Sequence, residues 1–205
     1  MEPKIIFHKG DLPDGLDLGN EIAVDTETMG LNHFRDDLCL VQISSGNGEC
    51  HLVQLDRDTY EAPNLAALME NKDVLKIFHF GRFDIGTILM HLGVVTAPVF
   101  CTKIASKIGR TFTDRHGLKD LCKELLHVDV SKHQQTSYWG AQDLTKEQMT
   151  YAATDVLYLH QLKKILTDIL DRERRDAIAQ DCFDFLPSMA ILDVMGYENT
   201  SVFDH

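Results

Sequence analysis

Ile22-Ala23-Val24 runs directly into Asp25-Thr26-Glu27 and then Thr28-Met29-Gly30-Leu31, and this stretch restricts the fold more than any other. Successive side chains on a strand alternate faces, so Asp25 and Glu27 point to the same side. Two carboxylates side by side at the end of a buried strand repel each other and lose hydration. A chain tolerates that at a helix N-cap, through salt bridges, or around a divalent cation. The pair alone leaves all three open. What decides is whether the rest of the chain brings further acids to the same edge.

The surrounding pattern is that of an α/β protein. A first strand is expected over 4–7, a polar loop over 11–20 and a second strand over 21–26, with Met29-Gly30-Leu31-Asn32 turning the chain out. Residues 38–44 are β-rich, and Ser45-Gly46-Asn47-Gly48 is a strong turn leading into a strand over 50–55. These three successive strands are expected to be antiparallel. Asn64 is read as the N-cap of a helix ending near Glu70. A strand over 74–78, a helix over about 83–92 and a short strand over 99–101 follow. The rest reads as helical: 102–108, 118–126, and a long run from Thr145 that breaks between 171 and 175, with Leu186-Pro187 interrupting the last segment. A strand meander followed by alternating helices and strands is α/β with a mixed sheet.

Composition bounds the function. The 205 residues suffice for one domain with a helical extension, and 44% hydrophobic with 25% charged residues is ordinary globular usage. No apolar run approaches the ~20 residues of a membrane span, and Met1-Glu2-Pro3-Lys4 does not begin a signal peptide. Cys39, Cys50, Cys101, Cys122 and Cys182 are odd in number and scattered, which argues for free thiols in a reducing cytoplasm. The formal net charge of −12 works against tracking a long nucleic acid, because phosphate neutralisation by basic surface supplies most of that affinity. Action on nucleic acid is then expected on something short, through metal ions and local contacts.

Two later segments supply further acids. In His79-Phe80-Gly81-Arg82-Phe83-Asp84, Asp84 falls in the first turn of a helix directly after a strand, where it suits the helix dipole. An ordinary first-turn acid explains it. Gly81, however, permits a tight turn that faces Asp84 to the edge where Asp25 emerges. In Tyr151-Ala152-Ala153-Thr154-Asp155, Tyr151 and Asp155 share one helix face, which Leu159 and Leu162 continue. An acid on an apolar face is easier to explain as a metal ligand than as a solvated charge. Tyr151 reads equally as a core tyrosine with a satisfied hydroxyl.

Taken together, D-x-E at a strand end, H-x-x-x-x-D at a strand-to-helix turn and Y-x-x-x-D on a late helix resemble the DEDDy 3′–5′ exonuclease superfamily. The matching residues are Asp25, Glu27, Asp84, Asp155 and Tyr151. The stretches His116 to Cys122 and Lys132 to Trp139, then Leu144-Thr145, resemble its ribonuclease D branch. Phe100 to Lys107, Asp114 to Lys119, and the end from Cys182 to His205 resemble the nanoRNase C group of alphaproteobacteria over almost the entire chain. Tyr138 departs from the branch, which has aspartate there; that aspartate is not a metal ligand. The resemblance implies a ribonuclease H-like (DnaQ-like) exonuclease fold, a mixed sheet flanked by helices. It implies one catalytic domain over 1–205, a helical C-terminal segment over about 176–205 used in oligomer contacts, and no HRDC domain. It also implies cleavage of very short RNA, down to dinucleotides, to nucleoside 5′-monophosphates in the cytoplasm, by a homo-oligomer that is a closed ring of eight, with no membrane partner.

Carboxylates suit hard cations, and two Mg²⁺ or Mn²⁺ ions would balance four acids before substrate arrives. Asp25 is expected to bridge both ions, Glu27 and Asp155 to complete one site, and Asp84 to serve the other directly or through water. Tyr151 is expected to orient the attacking water. On resemblance, Leu31 wedges between terminal bases, Glu27 holds the terminal 3′-hydroxyl with Thr28 in the same substrate-binding set, and His79 lies near the substrate. Lys103, Lys132 and Gln135 contact phosphate or sugar on the same ground. The alternatives are a ribonuclease D-like or DNA 3′–5′ exonuclease on longer substrates, a catalytically dead binding module, and an unrelated acidic metal-binding protein.

Overall fold

Six strands form one sheet: β1 (Lys4–Lys9), β2 (Glu21–Thr28), β3 (Leu38–Ser44), β4 (Glu49–Gln54), β5 (Leu75–Phe78) and β6 (Val99–Cys101), in the order β1-β4-β3-β2-β5-β6. They are seen in a computed structural model that describes residues 4–130, 137–197 and 202. β2, β3 and β4 form the expected antiparallel meander, while β1–β4, β2–β5 and β5–β6 are parallel pairs. Ile22, Ala23 and Val24 of β2 are fully buried, and so is every residue of β3. Burial along the whole of a central strand requires cover on both faces of the sheet.

The cover is helical: α1 (Pro63–Glu70), α2 (Arg82–Leu92), α3 (Thr102–Gly109), α4 (Leu118–Leu121) running into a π-helical turn (Cys122–Leu126), α5 (Lys146–Leu157), α6 (Leu159–Arg172) and α7 (Asp176–Leu192), with a last turn at Asp193–Tyr197. α5 lies along β2, β3 and β4, α6 packs on β2 and β5, and α2 packs with α7. α6 buries Leu159, Leu162, Leu166 and Leu170. Their spacing of three, four and four is one helical stripe, and each leucine stabilises by about 2 kcal/mol.

Three local expectations are corrected. Asn64 does not cap α1; the residue before the helix is Ala62, without a side-chain cap. Asp11, far back in the chain, accepts hydrogen bonds from Asn64 N and Leu65 N at 2.8 Å each, so its carboxylate occupies the cap's place. The run from Thr145 is two helices, since Tyr158 stands between α5 and α6. Pro187 lies inside a continuous α7. A proline removes one donor, and a helix packed along its length absorbs that loss. No helix among the described residues is long and apolar enough to cross a membrane.

Candidate active site

β2 distributes its side chains to two helices. Asp25 and Glu27 meet α5, where Asp155 joins them; one oxygen of each carboxylate lies within 4.8 Å of the others. Thr26 alternates to the opposite face and donates from its Oγ1 to Asp84 Oδ1 of α2 at 2.6 Å. The sheet thus brings all four acids to one strand end, three in a tight group and Asp84 held by its own hydroxyl partner. Asp84 reaches that position through a turn whose left-handed residue is Phe80 (φ 68°), not Gly81 (φ −60°). Gly81 is needed for a different reason. A Cβ there would sit 2.5 Å from the Phe78 side chain, so the turn closes only over a glycine.

The electrostatics follow from this convergence. Burial, then the charges of Asp84, Asp155 and Glu27, raises the Asp25 carboxyl well above the usual range. Burial, then Asp155 and Asp84, does the same to Glu27. Burial raises Asp84 to about 6, although the Thr26 hydrogen bonds oppose the rise. Among the described residues, no cationic side chain contributes to the shift of any of these three groups. Acids that share a site without a protein cation are matched by an external one, and all-oxygen donors suit a hard divalent ion. The residues present therefore fit the divalent metal that their pattern implies.

Tyr151 lies one helical turn before Asp155. Burial, then the charges of Asp155 and Glu27, with a hydrogen bond to Asp155, drives its hydroxyl pKa far upward. The phenol stays protonated and acts as a donor. α5 begins with a capping box in which Gln148 N donates to Thr145 Oγ1 (3.1 Å) and Thr145 N donates to Gln148 Oε1 (3.0 Å). Gln148 Nε2 also donates to the Tyr138 carbonyl at 3.2 Å. Trp139 is buried with its ring 6.2 Å from that of Tyr151, which restricts the phenol. Helix α5 is thus capped by Thr145, and Tyr138 in place of an aspartate removes no cap from it.

The expected substrate contacts spread around this centre. Leu31 is 83% exposed at the tip of a loop closed by Met29 N to Asp37 O (2.9 Å) and Asn32 N to Asp36 Oδ2 (3.0 Å). Thr28 donates to Gly30 O at 2.5 Å. His79 Nδ1 is 2.9 Å from Thr102 Oγ1, and that hydroxyl donates to Phe78 O at 3.1 Å. The Thr102 hydroxyl thus bridges the imidazole and the Phe78 carbonyl. Lys103 Nζ lies 3.9 Å from the centroid of the Phe80 ring. Lys132 and Gln135 fall outside the described residues.

Sequence reasoning passed over three residues. Thr26 was hidden as the middle of D-x-E. Phe80, an exposed aromatic in a left-handed conformation, lay in a motif read for its aspartate. Gln42 stands opposite Asp25 in the β2–β3 register. Its one signal is a lone amide in an otherwise apolar strand core.

The fold is ribonuclease H-like, and residues 12–171 match the family model described as 3′–5′ exonuclease; the chain belongs to that family. Among curated relatives, a ribonuclease D of Acidiphilium cryptum (strain JF-5) is 33% identical over 161 residues, 78% of this chain and 41% of that protein. The chain spans about two-fifths of the length of the curated relatives it matches. Among solved structures, Brucella melitensis NrnC with bound Mg²⁺ is 48% identical with a TM-score of 0.94, covering 98% of this chain and 99% of that one. The same protein bound to pGG is 48% identical with a TM-score of 0.95, covering 99% of each.

Proposed function

We propose that this protein is a metal-dependent 3′–5′ exoribonuclease that hydrolyses very short RNA, dinucleotides above all, to nucleoside 5′-monophosphates. The observation that carries the proposal is the convergence of Asp25, Glu27 and Asp155 within 4.8 Å, with Tyr151 on the same helix as Asp155. Asp25, Glu27, Asp155 and Asp84 would hold two divalent ions, Mg²⁺ or Mn²⁺. When bound, such ions activate a water and stabilise the leaving oxygen of a phosphodiester. The chain's own groups do the rest. Tyr151, its proton held by Asp155, orients the attacking water by accepting a hydrogen bond at its phenol oxygen, and its raised pKa keeps it from acting as the base. Thr26 holds the Asp84 carboxylate in place. Glu27 and Thr28 receive the 3′ end. Leu31, on its braced loop, wedges against the terminal base, and His79, Lys103, Lys132 and Gln135 contact sugar or phosphate.

Substrate length is argued from charge and likeness. At −12, phosphates beyond the one on the acids gain little from the surface. A protein 48% identical is bound to pGG. A second reading, processing of longer RNA or DNA, draws on the likeness to ribonuclease D. We place the contacts of a homo-oligomer, a ring of eight by resemblance, on 176–205, whose described part exposes Ile178, Phe185, Met195 and Tyr197. A catalytic domain acting in the cytoplasm completes the proposal. A 5′-labelled heptaribonucleotide tests it: with Mg²⁺ the label should move stepwise to shorter products, and EDTA should stop it. Internal cleavage or metal-independent release would overturn it.

A further inference from the structure

We propose that Gln42 is a positioning residue that holds the Asp25 and Glu27 carboxylates in the orientation that receives a divalent ion. The inference rests on the assignment of those acids as metal ligands. Gln42 is fully buried in β3, between Val41 and Ile43, where Ser44 at the strand's end is the one other polar residue. Its register partner is Asp25. Its amide nitrogen lies 3.4 Å from Asp25 Oδ2 and 3.4 Å from Glu27 Oε1. An amide carries two N–H donors, so one group can serve both acids, each at the long distance that spanning two acceptors imposes.

The other end of the same amide is diagnostic. Gln42 Oε1 is buried and has no hydrogen-bond partner among the described residues. Flipping the amide would not help, since it would set a carbonyl oxygen against two carboxylates. The side chain therefore leaves one polar atom unsatisfied in order to aim the other at the acids. A residue kept for packing alone would be better as leucine or methionine, because a buried unpaired acceptor destabilises. The place calls for a neutral donor. A lysine or arginine there would neutralise the acids and compete with the ion, and an apolar side chain would let their repulsion turn them apart. Outer groups that orient ligating carboxylates typically change metal affinity by ~10–100-fold when removed.

The test is Mn²⁺ binding by isothermal titration calorimetry on the whole protein, with thermal melting in EDTA, for wild type, Gln42→Met and Gln42→Asn. Methionine matches the volume without the donor, and asparagine keeps the amide but falls one methylene short. Both variants should bind Mn²⁺ about 10–100-fold more weakly, and Gln42→Met should melt in EDTA no lower than wild type. Should Gln42→Met not fold, Gln42→Asn decides alone. A folded variant with the wild-type binding constant overturns the role of Gln42 and leaves the metal assignment standing. A wild-type protein that binds no Mn²⁺ overturns the metal assignment itself.

Discussion

The four acids are a liability without a cation, and this is measurable one residue at a time. Asp155→Ala should abolish metal-dependent hydrolysis and at the same time raise the melting temperature in EDTA, because it removes a repelling charge from the group. Calorimetry beside an activity assay checks both signs; an active, folded variant contradicts the assignment. The pH dependence follows from the same cause. Asp84 is raised from 3.8 to about 6, and Asp25 and Glu27 move the same way. A carboxyl with a raised folded pKa binds its proton more tightly in the native state, so its stabilising share is present at low pH and is lost as pH rises through the folded value. In EDTA the melting temperature should therefore fall as pH rises from about 4 through 6, and saturating Mg²⁺ should remove most of that fall. For Tyr151→Phe we expect kcat to drop by roughly 10–100-fold with KM little changed, since an oriented water is lost rather than substrate contact.

At the scale of elements, α2 is fixed at both ends. Arg82 forms two bonds to the buried Asp193, at 2.6 and 2.5 Å, and Gly93 in the left-handed region closes the helix by donating to Leu89 O. Asp193→Asn should cost roughly 2 kcal/mol in a denaturant titration, the scale of a hydrogen bond between charged groups. Most strands were legible because their apolar runs are short and bounded by turns: β3 and β6 begin and end where expected. The failures share a physical origin. Asp11 caps α1 across more than fifty residues, a contact that no local pattern encodes. The break at Tyr158 falls inside an apolar periodicity that continues on both sides. Proline in α7 signals a lost donor, whereas packing of Phe183, Leu186 and Ala190 holds the helix together. In the site, the acids were legible because isolated carboxylates on apolar elements are conspicuous. Thr26 and Gln42 were not, because a threonine or glutamine in a strand attracts no notice until its partner is seen.

The whole molecule carries −12, and the charge bears on which substrates reach the acids. A protein that gains affinity from phosphate neutralisation loses it steeply as salt rises. Here added salt should screen repulsion instead, so kcat/KM for an RNA decamer should rise or hold between low and physiological ionic strength. The central claim, that one phosphodiester on the acidic group is the preferred substrate, is tested most directly by kcat/KM with Mg²⁺ across 5′-labelled RNAs of two to ten nucleotides with a free 3′ end. The dinucleotide should give the highest value, with decline as phosphates are added; a steady rise with length would contradict it.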